Sequence, residues 1–331
     1  MSEQRQLLSD SAARLFQTNA GWDEIEALGI ADVLVPEEHG GSGADWDDAC
    51  AVLQAAGQSQ TPLPLAEAMI ARKVLAEAAL EVPRSSLSIA TNPNGTLSRT
   101  AGVWQFSGVL PSVPWGRDVA RAVTTMTVDG QPHVVVLAVA DARVHKRTNL
   151  ADESRDDLQF DSAAALVSPA TSREAQRLFD YAALARTAQI AGALQSALDR
   201  SIAYVLERKQ FGRPIGQFQA VQQQLALFGA ETAAATCASR SAGIAASTGD
   251  ASFEIAAAKL RANQAIGVAT ATAHQVHGAI GFTREYALRQ ATQRLWSWRS
   301  EYGNDRYWSE RLGCAVIAAG ADVFWANLTE P

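Results

Sequence analysis

Leu206–Gln219, "LERKQFGRPIGQFQ", interrupts a run of Ala-rich, helix-forming sequence. Two cations, Arg208 and Lys209, lead into a Phe-Gly-Arg-Pro break, and a Gln-rich stretch restarts the chain beyond it. Gly212 and Pro214 are residues that stop a helix, so the stretch reads as a hinge between two long helices. Its chemistry admits two readings. Arg208, Lys209 and Arg213 can be favourable charge at a helix C-terminus. Alternatively they begin an anion or cofactor clamp, with Arg208 on phosphate, Phe211 on a flat ring and Gln219 supplying amide hydrogen bonds.

Helical pattern extends outward on both sides. Glu174–Arg208 contains no Pro and one Gly, and at 1.5 Å per residue it would run about 50 Å; Ser172 is placed to cap it. Phe218–Ser247 ends at "TGD", Ser252–His277 ends at Gly278, and shorter helical patterns cover Glu285–Ser300 and Trp308–Leu328. Long Ala-rich helices with short connections predict close antiparallel packing, as in a four-helix bundle.

The N-terminal part is also helical in pattern. Leu7, Leu8, Ala12, Leu15 and Phe16 recur at helix spacing, Trp22–Leu28 is closed by Gly29, and Asp45 can cap a helix that Gly57 ends. Ala66–Ala79 forms another. From Ser86 to Ser168 the period changes to short β-branched or alternating runs, "LSIAT", "GVWQFSGVL", "VARAVTTMTV" and "HVVVLAVA", separated by turn sequences. The expected fold class is α+β, mostly α. A helical segment, 1–85, is followed by a small antiparallel β segment, 86–170, and a C-terminal helical bundle, 171–331. No GxGxxG follows a strand, so a dinucleotide-binding α/β domain has no support.

A net charge of −7 argues against binding to nucleic acid or an anionic membrane, which draws on clustered Lys and Arg. Three dispersed cysteines, Cys50, Cys237 and Cys314, provide neither a disulfide framework nor metal-ligand spacing, and a reducing cytoplasm is expected. No stretch reaches about 18 uninterrupted apolar residues, so no membrane span is expected.

A second conspicuous stretch is His274–Leu288, "HQVHGAIGFTREYAL". Gln275 can hydrogen-bond, Gly278 permits close backbone approach, and Gly281-Phe282 closes the helix. Taken alone, Gly278 reads as a helix cap, and His274 and His277 as packed or surface residues. Together with "ERKQFGRPIGQFQAVQ" and with "VLVPEEHGGSGADWDDACAVLQAAGQSQTPLPL" (residues 33–65), the stretch resembles the signatures of the acyl-CoA dehydrogenase family. The likeness covers most of the chain. That family binds FAD and removes hydrogens from the α and β carbons of acyl-CoA thioesters. A carboxylate takes the α proton and the flavin N5 takes the β hydride.

The resemblance implies that Arg208, Gln210, Phe211, Gln219, Gln275, Val276 and Gly278 contact the pyrophosphate and adenosine part of FAD, held mainly by a neighbouring subunit. Between Leu87 and Ser168 nothing matches the family's Thr-Glu-Pro…Gly-Ser-Asp loop, so the half of the site that seats the flavin ring is expected to be missing. The family's catalytic Glu falls on Tyr302, a poor proton acceptor at neutral pH with its ordinary pKa near 10. Glu301, one residue earlier, is the candidate base, and the alternative base position falls on Ala182. Trp296 and Trp298 cannot share one helix face, so at least one is expected at a subunit contact or pocket.

These features imply a short, degenerate subunit that lends the nucleotide half of an FAD site to a full-length partner in a hetero-oligomer acting on an acyl-CoA. Two alternatives remain. One is a self-sufficient homo-oligomer using Glu301, and the other is a non-catalytic scaffold of the same fold.

Overall fold

A computed structural model describes residues 3–18, 20–170 and 172–322. The backbone separates into two compact units: Met1–Gln17, Trp46–Thr61 and Ala183–Pro331 form one, and Thr18–Asp45 with Pro62–Ala182 the other.

The first unit is helical. It contains α1 (Glu3–Gln17), α3 (Trp46–Ser59), most of α5 (Ser172–Glu207), α6 (Gln219–Thr248), α7 (Ser252–His277), α8 (Leu288–Trp298) and α9 (Asp305–Ala319). Its core is built from Ile190, Leu194, Ala197, Phe228, Ala235, Ala262, Ile266, Ala269, Leu288, Leu295 and Trp298. Alanines dominate the facing positions, so helices approach closely, and the bulk comes from Phe228, Leu288, Leu295 and Trp298.

Gly57 does not end its helix as expected. α3 continues to Ser59, and a Cβ on Gly57 would lie 2.1 Å from the Gln189 carbonyl oxygen. Gly192 reciprocates, with a Cβ falling 1.9 Å from the Gln54 carbonyl oxygen. Two glycines thus let α3 and α5 cross backbone to backbone. The start of α3 is met from α6, where the Ser247 hydroxyl accepts from the amides of Trp46 and Asp47 at 3.0 and 3.4 Å. α9 begins at Asp305, earlier than expected, because Asn304 Oδ1 accepts the Tyr307 amide at 3.0 Å, and Gly320 caps it. The expected continuation over 323–328 and the Ser172 side chain lie outside the described residues.

The second unit holds α2 (Trp22–Ala27), α4 (Leu65–Glu77) and a seven-stranded sheet. The strands are β1 (Leu87–Ala90), β2 (Asn94–Thr100), β3 (Val103–Pro114), β4 (Arg121–Val128), β5 (Gln131–Ala138), β6 (Arg143–His145) and β7 (Arg155–Pro169). Their order is β1-β4-β5-β7-β3-β2, with β6 also on β7. All pairings are antiparallel except β1 with β4, which are parallel. β2, β6 and β7 carry little of the alternating apolar signal. β2 is largely exposed, and its first residues, Asn94 and Gly95, resemble a turn.

Two buried arginines organise this unit. Arg72 on α4 is fully buried and donates to Glu26, to Asp32 Oδ1 at 2.8 Å and to the Ser85 carbonyl at 3.2 Å. Arg155 reaches Glu153 at 3.0 Å. The fully buried Asp156 accepts from the Arg117 amide and Nε at 2.8 and 2.9 Å and from the Arg147 amide at 2.9 Å.

Candidate cofactor-contact site

α5 ends at Glu207, and the chain turns through a small hairpin in which β8 (Lys209–Gln210) pairs with β9 (Arg213–Pro214). Phe211 and Gly212, at its tip, both have positive φ, 51° and 81°. This is the conformation of a type I′ two-residue turn. Glycine adopts it freely, whereas an aromatic residue is strained by roughly 1–2 kcal/mol. The same Phe211 is 91% exposed. Such a strained and largely solvated aromatic adds little burial to the fold of this chain.

The hairpin base is firmly held. Ile215 N donates to Arg208 O, and Arg208 N donates to Tyr204 O, both at 2.8 Å. The Arg213 guanidinium lies 4.3 Å over the Phe218 ring, and Phe211 meets Phe218 edge-on at 6.1 Å. Phe218 caps α6, which places Gln219 on its first turn.

The second stretch lies alongside. Val276, near the end of α7, packs with Val205 and Ile215 in a small cluster that also takes in Tyr204, Phe218, Val221 and Leu225. Tyr204 stacks on His277, and its hydroxyl donates to the His277 carbonyl at 3.4 Å. His277 Nδ1 donates to Ala273 O at 2.7 Å, which leaves Nε2 to accept from the Tyr286 hydroxyl at 3.2 Å. Burial holds His277 below its ordinary pKa against the opposing pull of that carbonyl, so the ring is neutral at pH 7. His274 is stacked between Phe282 and Trp296, at 4.0 and 5.4 Å, and bonds Thr292 at 3.0 Å. Both histidines are therefore packing residues. Trp298 is buried and Trp296 is 37% exposed, so the two tryptophans face opposite environments.

Six of the seven candidate contacts, Arg208, Gln210, Phe211, Gln219, Gln275 and Gly278, are exposed, and Val276 is buried. Among the described residues, no hydrogen bond or ion pair engages the side chains of Arg208, Gln210, Gln219 or Gln275. Gly278 has φ 66° and ψ −146°, and a Cβ there would meet nothing within 4 Å. Its glycine is required by backbone conformation rather than by lack of room. The unpaired guanidinium, the free amides and the solvated ring form a donor set suited to phosphates beside a flat heterocycle. An FAD pyrophosphate and adenosine fit that set.

Glu301 sits elsewhere in this unit, on the turn between α8 and α9. Its carboxylate lies 3.1 Å from Nε of Arg186 on α5, whose side chain is 3% exposed. The Arg186 guanidinium also lies 5.0 Å over the Trp298 ring and 5.6 Å over the Tyr302 ring, and donates to Gln189 Oε1 at 2.6 Å. Tyr302 has φ 54° and Gly303 φ 97°. Arg299, beside Glu301 in sequence, pairs instead with Asp305.

Arg186 and Lys259 are the residues that sequence reasoning missed. Lys259 on α7 is fully buried, and its ammonium donates to Asn263 Oδ1 at 2.6 Å, Trp298 O at 3.3 Å, and Arg299 O and Gly303 O at 3.2 Å. Its signal was its setting, "IAAAKLRAN", where Ala256, Ala258 and Ala262 are all buried. A lysine among small apolar residues facing a core needs internal acceptors.

The helical unit thus carries an exposed surface of unengaged cationic, amide and aromatic side chains around the hairpin and the end of α7. Residues 173–305 match the family model described as "Acyl-CoA dehydrogenase, C-terminal domain". Residues 173–305 thus carry an acyl-CoA dehydrogenase C-terminal domain, and the chain as a whole is similar to acyl-CoA dehydrogenases. It is 28% identical over 339 residues to the acyl-CoA dehydrogenase IpdE2 of Mycolicibacterium smegmatis, an alignment covering 96% of this chain and 100% of that protein. Among solved structures, the Tcur3481-Tcur3483 steroid ACAD G363A variant superposes with a TM-score of 0.87 at 24% identity, over 96% of this chain and 99% of that one. The ChsE4-ChsE5 complex from Mycobacterium tuberculosis gives 0.88 at 21% identity, over 97% and 99%. Members of the family are FAD flavoproteins. Among the described residues, no helix is long and apolar enough to cross a membrane.

Proposed function

We propose that this chain is the supporting subunit of a heteromeric acyl-CoA dehydrogenase, and that it grips the pyrophosphate and adenosine part of an FAD whose flavin ring is seated in a partner subunit. The observation that carries this reading is the set of exposed side chains on the hairpin and at the end of α7, above all the unpaired Arg208 and the strained, 91% exposed Phe211. Such a surface is complete only when something covers it. Arg208 supplies a positive charge to phosphate, Phe211 packs on the adenine, and Gln219 and Gln275 provide amide hydrogen bonds. When bound, FAD supplies the hydride-accepting chemistry of α,β-dehydrogenation.

The Arg186–Glu301 pair also supports a supporting role. A carboxylate engaged by a buried guanidinium holds the turn in place, and it would have to give up that contact to act as a base. The names of the two structural relatives, each a pair of proteins and one a steroid enzyme, favour a heteromer acting on a bulky acyl-CoA thioester.

The test is to purify the chain alone and together with the acyl-CoA dehydrogenase subunit that co-purifies with it. The expected result is a colourless isolated chain and one FAD per heterodimer in the complex. Stoichiometric FAD with dehydrogenase turnover from the isolated chain would overturn the proposal in favour of a self-sufficient homomer. A complex whose flavin is indifferent to Arg208→Ala would favour the scaffold reading.

A further inference from the structure

One end of the helical unit is strongly positive in a chain that is acidic as a whole. Residues 200–213 and 284–289 hold six cations, Arg200, Arg208, Lys209, Arg213, Arg284 and Arg289, against two carboxylates, Glu207 and Glu285, in a protein of net charge −7. The two stretches meet in space. Tyr286 stands edge-on to Tyr204, with ring centroids 6.3 Å apart, and its hydroxyl reaches His277. Burial raises the pKa of that hydroxyl, and Arg200 and Glu207 are near enough to act on it in opposite senses.

These charges are not spent inside the chain. Among the described residues, no hydrogen bond or ion pair engages the side chains of Arg200, Arg208, Lys209, Arg284 or Arg289, and Nε of Arg200 is buried without a partner. Exposed Leu206, Phe211, Ile280 and Phe282 stand among them. Arginine and aromatic side chains are what protein–protein interfaces gather, while lysine is depleted there, and five of the six cations are arginines.

The charge surplus specifies what covers this end. On the supporting-subunit reading, from which this inference starts, a partner closes over it with the FAD pyrophosphate between the subunits. A pyrophosphate brings about two negative charges, fewer than the surplus of four positive charges in the two stretches. Enclosing the remainder without counter-charge would oppose assembly. We propose that the flavin-bearing partner subunit presents an acidic surface here, with at least two carboxylates set against Arg284 and Arg289, and that this pairing steers the subunits together. A guanidinium takes a carboxylate bidentately, which fixes orientation as well as charge. A second copy of this chain suits the surface less well, because a two-fold contact through it would set cation against cation.

The experiment measures the association rate of this chain with the acyl-CoA dehydrogenase subunit that co-purifies with it, by biolayer interferometry with the partner immobilised and FAD in the buffer. Raising sodium chloride from about 20 to about 300 mM should slow association about 10-fold or more. Arg284→Glu with Arg289→Glu should slow it at least about 10-fold at low salt and flatten its salt dependence. The corresponding Gln pair should fall between, and it carries the test should the Glu pair fail to fold. Arg143→Glu with Lys146→Glu, the same change of net charge at exposed positions of the β unit, should leave the rate within about twofold. The melting temperature of the isolated Arg284→Glu, Arg289→Glu chain should not fall, because neither arginine is engaged and Arg289 stands in the first turn of α8, where negative charge is favoured. A heterodimer with one FAD whose association is indifferent to salt and to the Glu pair would overturn this inference and leave the supporting-subunit reading standing. Stoichiometric FAD and turnover in the isolated chain would overturn both. Self-association of the isolated chain that the Glu pair abolishes would overturn the inference in favour of a second copy.

Discussion

Tyr204 on α5 stacks on His277 on α7, with ring centroids 4.4 Å apart and planes inclined by 28°. This contact joins two stretches more than seventy residues apart in sequence. Tyr204 O holds the amide of Arg208, and His277 immediately precedes Gly278, so the stack sets the spacing of the two stretches that carry the candidate contact residues. The hydrogen bond from Tyr286 to His277 locks the ring from the other side.

Arg208 is exposed and unpaired, so its loss should alter binding without altering the fold. Arg208→Ala in the assembled complex is expected to weaken flavin retention by about 10-fold or more, in line with the roughly 1.5–3 kcal/mol of a charge-assisted hydrogen bond. The melting temperature of the isolated chain should be unchanged. Gel filtration of the complex, monitored by flavin absorbance, measures the first quantity, and thermal unfolding the second.

Gly192 is a position where a helix-favouring substitution should harm the protein. Gly→Ala in a helix interior ordinarily gains up to about 1 kcal/mol, but a Cβ at Gly192 would sit 1.9 Å from the Gln54 carbonyl oxygen. Forcing α3 and α5 apart is expected to give a net loss of roughly 1–3 kcal/mol in urea unfolding of Gly192→Ala. Gly229→Ala, where a Cβ would meet nothing within 4 Å, serves as the control and should be neutral or slightly stabilising.

Acid should act through Asp156. Burial pushes its pKa up, but hydrogen bonds from the Arg117 side chain and from the amides of Arg147 and Arg117 outweigh that and hold it below its ordinary value of 3.8. A carboxylate with a depressed folded pKa stabilises fully above the unfolded value. That contribution is lost as pH falls below about 3.8 and through the folded pKa. Asp156→Asn is therefore expected to cost on the order of 3 kcal/mol at pH 7, with the gap to the native chain narrowing below pH 4. Thermal melts at pH 7, 4 and 3 read it directly.

Glu301→Gln separates structure from catalysis. Because Glu301 pairs with the buried Arg186, the substitution should lower stability by about 1–3 kcal/mol. Turnover per flavin of the heteromeric complex should stay within about twofold, since the supporting-subunit reading places no chemistry on this carboxylate. A 100-fold or greater loss of turnover would assign it the role of base.

Much of the fold was legible because its signals are local. α7 begins and ends at the residues its capping and periodicity indicate, Ser252 and His277, and α6 differs by one residue at each end. The strands with β-branched alternation, β1, β3, β4 and β5, are all present, while β2, β6 and β7 escaped because sheet position, not side-chain period, makes them strands. Gly57 misled for a related reason. A glycine signals a helix stop or a close approach equally well, and only the backbone of α5 against it distinguishes the two.

The sequence by itself determined the helical bundle and the β segment, because each is written in short-range spacing and residue chemistry. Tertiary structure alone decided that Phe211 stands in solvent on a strained turn while Val276 is buried against Val205 and Ile215. It also decided that Glu301 faces Arg186, and that Lys259 is fully buried beneath three main-chain carbonyls. Charge pairing and burial depend on which helix faces meet in space, and no local pattern along α5, α7 or the α8–α9 turn encodes that meeting.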